Sequence, residues 1–259
     1  MRWWVGLAAA VALVVTACDS GDGRTVGGAA NPSAPGRPGD MAPGADHEAP
    51  GRPADVGPGA DHEAATRIPG DTGTVDVVSG ATSVTVRAAD LGSERVRAST
   101  PDGAGVAPVL GVDGDTVTVH LVQTGEPGPA AVTVLLDRRV RWQVRMSGGA
   151  TEETLDLRGV RLSGVDLDAG VTRVELRLPA PDRAVPVTMA GGASVFTLHV
   201  PAGVATGVRV GGGAGSTDVD GIRRTGLAGG TVVSTATGPQ RYDVDAVAGV
   251  SSLVLDRVA

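Results

Sequence analysis

Lysine is absent from this sequence, and all 22 basic residues are arginine. Cysteine occurs once, at position 18, so no disulfide can close within the chain and stability has to come from burial. Aromatic residues make up 2% of the 259 positions, and beyond residue 17 they are Trp142, Phe196 and Tyr242 alone. That scarcity starves the stacking platforms of many sugar and single-strand sites, and it leaves Val, Leu and Ala to build a core. The net charge of −7 argues against a nucleic-acid partner. No window carries convincing amphipathic-helix periodicity, no G-x-S-x-G elbow accompanies the serines, and no signature asks for a cofactor. What is abundant is Gly, Ala, Val and Asp, which together with the all-arginine usage suggests a high-GC, actinobacterial genome.

The N-terminus sets the compartment. Arg2 precedes an apolar run from Trp3 to Val15, followed by small residues before Cys18, the layout of a secretory signal peptide over residues 1–17. The run is too short for the roughly twenty residues of a membrane-crossing helix. Val15, Thr16, Ala17 and Cys18 resemble a bacterial lipobox. The resemblance implies that Cys18 is lipidated and becomes the first mature residue, holding the protein on the extracytoplasmic face of the cell membrane; two or three acyl chains make a durable anchor. An ordinary secreted protein with one stray cysteine is the alternative.

Residues 18–70 then read as the lipidated cysteine and a linker too poor in large apolar side chains to offset chain entropy. Within it APGRPGDMAPGADHE (34–48) recurs as APGRPADVGPGADHE (49–63), identical at twelve of fifteen positions. Repeated Pro-Gly units make a semi-extended stalk that, at roughly 3 Å per residue, reaches at most about 150 Å. The two Asp-His-Glu triplets carry donor atoms, but a metal site needs fixed ligand geometry, so a polar spacer is expected and no metal site is assigned.

From residue 71 to 259 apolar and polar residues alternate with period two. Residues 82–87, 116–122, 132–136, 172–179 and 194–201 read as short strands, and the domain as all-β. Small residues precede strands in SGATSVTV (79–86), GGATEETLDL (148–157), AGVTRVELRL (169–178), GGASVFTLHV (191–200) and AGVSSLVL (248–255). Glycines 149, 170, 192 and 213 lie 21 or 22 residues apart. Such a period points to stacked, solenoid-like β-structure with glycine turning the corners, a β-sandwich being the alternative.

Candidate chemistry is sparse. His120 and His199 sit among apolar neighbours on expected strands. The pairs Asp113/Asp115, Asp166/Asp168, Asp218/Asp220 and Asp243/Asp245 each put two carboxylates on one strand face, read as acidic turns in preference to calcium ligands. In DRRVRWQVRM (137–146), a strand reading places Arg139, Arg141 and Arg145 on one face and Trp142 on the buried face; the arginine row reads as a solvated face compensated by nearby carboxylates, the alternative being a contact for phosphates of lipid headgroups or anionic wall polymers. On that reading the arginines contribute little to folding.

The run from Trp142 to Asp220, with its GGA motifs, LPAP and HVPAG turns and GGGAGSTDVDG, is similar to the toastrack or adhesin-like domains of bacterial envelope proteins, found also in cell-wall-stress sensors. The resemblance implies stacked β-structure with a binding, scaffolding or sensing role and supplies no catalytic residues. A non-catalytic envelope lipoprotein is therefore expected, anchored in the membrane and meeting an anionic wall polymer or another envelope protein. The alternatives are a regulatory partner of a membrane signalling protein and, with few aromatics to support it, a glycan-active enzyme.

Overall fold

The computed structural model describes residues 62–259. The leader, Cys18 and the duplicated segment up to Asp61 lie outside the described residues. In chain order the strands are β1 (Glu63–Thr66), β2 (Thr72–Val77), β3 (Ala81–Ala89), β4 (Val96–Ser99), β5 (Val106–Asp113), β6 (Thr116–Gln123) and β7 (Ala131–Asp137). They continue with β8 (Arg141–Met146), β9 (Ala150–Asp156), β10 (Arg161–Leu167), β11 (Val171–Arg177), β12 (Ala184–Met189) and β13 (Ala193–Pro201). The last are β14 (Ala205–Val210), β15 (Ala214–Val219), β16 (Ile222–Leu227), β17 (Thr231–Ser234), β18 (Arg241–Ala246) and β19 (Val250–Val258).

These strands form a ten-stranded and a nine-stranded sheet that face each other across one core. Each rung of the stack is one strand from each sheet, joined by a three-residue corner in all but β6–β7, where residues 124–130 make the connection, and neighbouring rungs pair in parallel. The rungs are β6–β7, β2–β3, β8–β9, β10–β11, β12–β13, β18–β19 and β14–β15, in that spatial order. Solenoid-like stacking is thus the observed architecture, but the chain leaves sequence order at both ends. The rung that holds Gly249 lies between those of Gly192 and Gly213, so Gly213 is not the next step after Gly192 as the spacing suggested. Antiparallel strands finish the stack: β4 and β1 beyond β7, β5 beyond β6, β16 beyond β15 and β17 beyond β14.

Alternation decides what lies inside. Across the nine-stranded sheet one inward position is valine in all seven rungs: Val117, Val75, Val144, Val165, Val187, Val244 and Val208. None is more than 2% exposed. The facing row on the other sheet is Val134, Val86, Leu155, Leu176, Leu198, Leu255 and Val219, equally aliphatic. Each such side chain contributes about 1.5–3 kcal/mol by leaving water, and β-branched valine fits the pleat. Trp142, Phe196 and Tyr242, fully buried, are the largest side chains in this core. The Tyr242 hydroxyl donates to the Pro179 carbonyl at 2.8 Å, and burial raises its pKa.

The corners explain the rung order. Along the stack from β8–β9 they read GGA (148–150), AGV (169–171), GGA (191–193), AGV (248–250) and GGA (212–214), a regular alternation that sequence order lacks. Each corner donates two backbone N–H groups to one carbonyl of the rung before it: Gly148 and Ser147 to Val77, Ala169 and Asp168 to Met146, Gly191 and Ala190 to Leu167. All five corners donate in this way, and in the GGA corners the first glycine lies against the neighbouring backbone. A Cβ at Gly148 would lie 2.2 Å from the Ser79 carbonyl oxygen, and one at Gly191 2.0 Å from that of Ala169. At Gly170 the nearest atom is 3.9 Å away. Gly191→Ala should therefore lower stability by about 1–3 kcal/mol, as overpacking does, whereas Gly170→Ala should stay within about 0.5 kcal/mol of the parent in thermal denaturation. Equal melting of the two variants would contradict the close corner.

Ordered structure begins ahead of residue 71, where alternation alone set the domain's start. β1 pairs with β4, Thr66 facing Val96, and Ile68 is buried. The four residues of β1, with Ile68 two positions beyond them, are too few to show a period against a Pro/Gly background. Glu63, the last residue of the second Asp-His-Glu triplet, lies 3.6 Å from Arg97.

Candidate functional site

Arg139, Arg141 and Arg145 are bound to carboxylates. β7 ends at Asp137 and β8 begins at Arg141, so residues 138–140 form a corner and Arg139 is not on the strand with the other two. Val140 N donates to the Asp137 carbonyl at 3.3 Å, closing the turn that a continuous strand would lack. Arg139 clasps the buried Asp137 carboxylate through its backbone N at 2.8 Å and Nε at 2.9 Å, and its Nη2 donates to the Gly92 carbonyl. The hydrogen bond from Arg139 holds the Asp137 carboxyl below the usual range against the opposing effect of burial. Arg139 is thus part of what keeps a buried charge paired, and not the dispensable neighbour that alternation implied.

Arg141 and Arg145 do share the outer face of β8. Arg141 is nearly buried, donating to Asp182 at 3.0 and 2.5 Å and to the Leu162 carbonyl at 3.0 Å. Arg145 donates to Asp168 at 3.0 Å and is flanked in register by Asp76 and Asp166. The same compensation runs over both outer faces: Arg173 with Glu152, Arg209 with Asp245, Arg241 with Asp243, Arg257 with Asp220. The carboxylates at 166, 168, 220, 243 and 245 are thereby engaged by neighbouring side chains, and among the described residues no group of three or more His, Cys, Asp or Glu converges on a metal position. His120 is exposed on β6. His199, on the outer face of β13, lies 2.6 Å from Asp256 and 3.2 Å from Glu175, a hydrogen-bonded strand histidine with no hydroxyl or thiol nucleophile in that group.

One corner breaks the pattern. Arg87 at the end of β3, Arg138 after β7, and Asp156, Arg158 and Gly159 after β9 line an open cavity of about 310 Å³. Arg158 grips Asp156 with Nε at 2.8 Å and Nη2 at 2.6 Å, and that hydrogen bond holds the carboxyl below its ordinary range. Among the described residues Arg87, Arg138 and, on the edge strand β16, Arg223 make neither an ion pair nor a side-chain hydrogen bond, and of these Arg87 and Arg138 share a cavity. Gly159 makes room for them, since a Cβ there would lie 2.6 Å from the Ala88 Cβ and 3.5 Å from Arg138 Nε. A second groove of about 230 Å³ opens on the same strand, lined by Ser83, Thr85, Ser99, Thr100, Pro101, Ala131, Val132 and Thr133. The sequence gives little warning of either, because Arg87, Arg138 and Arg158 come from three rungs and meet only through stacking.

Inside, one position contradicts its surroundings. Glu153 on β9 points into the core between Val84 and Val174, its register partners, and is 2% exposed. Its Oε2 has no hydrogen-bond partner, and burial pushes its pKa up to about 7. In TEETLDL the alternation counted back from Leu157 and Leu155 reaches Glu153, a residue type that alone would read as exposed.

No family model and no curated protein matches the sequence. Among solved structures, the fold resembles a "putative cell adhesion protein" from Clostridium sporogenes, with a TM-score of 0.54, 13% identity, and coverage of 76% of this chain and all of that one. At that identity the likeness is one of fold. A "putative adhesin" from Bacteroides fragilis aligns over 76% of this chain and 97% of its own, at 11% identity and a TM-score of 0.27, too low to carry an argument.

Proposed function

We propose that this protein is a non-catalytic binding module of the bacterial cell envelope, lipid-anchored at Cys18 and carrying its β-domain outward on the Pro/Gly segment. The observation that carries the binding role is the exterior itself. Arginines and carboxylates are zipped together from rung to rung, which leaves a rigid platform, while Arg87 and Arg138 remain free at one corner to meet an anion. The solved structure similar in fold is described in terms of cell adhesion, which agrees with this reading. Asp137, Asp156, Asp168 and Asp182, the carboxylates beside the arginines described above, sit in ion pairs, and Glu153 is buried in the core.

Two measurements test it. In the producing bacterium, Cys18→Ser should leave the membrane fraction or accumulate unprocessed, and unchanged sedimentation would rule out the lipid anchor. The soluble chain from Asp19 to Ala259 should be depleted saturably by isolated cell envelopes, and failure to deplete would rule out the binding role. A second reading, a regulatory partner of a membrane signalling protein, draws on the exposed Ile222 and Val232 of the edge strands β16 and β17. It would be favoured if envelope binding were lost in Ile222→Asp and kept in Arg87→Gln.

A further inference from the structure

The outer face of β3 links the two grooves. Ser83, Thr85 and Arg87 alternate along it, so the hydroxyl-lined groove and the arginine corner lie end to end over about 13 Å at a strand's rise per residue. Ser83, Thr85, Ser99 and Thr133 make no side-chain hydrogen bond among the described residues. Thr100, which lines the same groove, is 2% exposed, and its Oγ1 has no partner.

Resting on the binding role argued above, we propose that this face binds a polyhydroxylated chain bearing phosphate or carboxylate groups. The acid group sits against Arg87 and Arg138, whose guanidinium forks match either oxyanion bidentately. Asp156 does not oppose it, because Arg158 already holds that carboxylate. The hydroxyls of the ligand exchange hydrogen bonds with Ser83, Thr85, Ser99 and Thr133. Serine and threonine both donate and accept, which suits a polyol and requires no aromatic platform. The parallel rungs hold all these groups on rigid strands, so little ordering entropy opposes binding.

Calorimetry on the chain from Asp19 to Ala259 tests this with four probes: polyglycerol phosphate, polygalacturonate, inorganic polyphosphate and neutral dextran. Binding of polyglycerol phosphate or polygalacturonate, with salt-sensitive affinity and none for dextran, is expected. Which of the two binds identifies phosphate or carboxylate as the acid group. Arg87→Gln/Arg138→Gln should weaken binding at least about tenfold with an unchanged melting temperature. Thr85→Ala/Thr133→Ala should weaken the polyol ligand and leave polyphosphate unaffected. Equal binding by the arginine variant and the parent would overturn the site, and polyphosphate binding as tightly as the best polyol would overturn the hydroxyl groove. If no probe binds while isolated envelopes still deplete the chain, this inference fails and the binding role stands; if envelopes do not deplete it either, both fail.

Discussion

Trp142→Ala is expected to melt far below the parent, with a loss of about 3–5 kcal/mol. Trp142 is fully buried on β8, between Gly73 of β2 and Leu162 of β10 in register. The fit is close, because a Cβ at Gly73 would come within 2.8 Å of the indole Cζ3. The indole Nε1 donates to the Asp137 carbonyl at 3.0 Å, and the Asp137 side chain is itself held by Arg139 and Arg95. Removing the ring opens a cavity in the core and leaves that carbonyl with the Val140 N–H alone. The expected loss is a large part of the 5–15 kcal/mol or so that holds an average domain together. Trp142→Phe keeps part of the volume and loses the hydrogen bond, so it should fall between the two in urea denaturation followed by circular dichroism. A Trp142→Ala variant that melts with the parent would place this side chain outside the core.

The second large effect has the opposite sign. Glu153 has a folded-state pKa of about 7 against an ordinary 4.5, because burial disfavours its charge. The folded state therefore binds the proton more tightly than the unfolded chain. Stability should be highest below pH 4.5, fall as pH rises to about 7, and then level off, with a total loss of about 3 kcal/mol at 1.36 kcal/mol per pKa unit. Asp137, Asp156 and Asp182, held low by arginine, act in the other direction, but only below about pH 4. Glu153→Val would extend the aliphatic row formed by Val84 and Val174. At pH 8 it should melt well above the parent, and its advantage should shrink towards pH 5. If the two proteins show parallel stability profiles between pH 5 and 8, Glu153 is not a buried carboxyl.

Such a residue also shows where sequence reasoning stops. Alternation was enough to place Val84, Val86, Trp142 and Val144 inside, because a period of two is fixed by the strand itself. Glycine spacing was enough to suggest stacked rungs. Neither could show that β18–β19 slips between β12–β13 and β14–β15, since that order is set by how GGA and AGV corners fit one another in space. Glu153 was missed because a carboxyl does not read as a core residue, although the period running back from Leu157 and Leu155 puts it, and not Glu152, on the inner face. The arginine row needed the fold as well. Arg139, Arg141 and Arg145 are close in sequence and conspicuous, yet Arg139 turns back onto Asp137 at a corner, and the partners of Arg141 and Arg145, Asp182 and Asp168, lie further along the chain. Arg87, Arg138 and Arg158 are scattered over 72 positions and converge only in the fold.

The central claim is that uncompensated charge at one corner is where this molecule meets its ligand. It is tested most directly by solution NMR of the arginine Nε–H and backbone amide signals of the chain from Asp19 to Ala259 during titration with polyglycerol phosphate. The side-chain signals of Arg87 and Arg138 and the amides of residues 83–87 should shift together and saturate, while those of Arg141 and Arg145, already held by carboxylates, stay in place. Shifts centred on Arg141 and Arg145, or on the edge strands β16 and β17, or no shift at all, would contradict it.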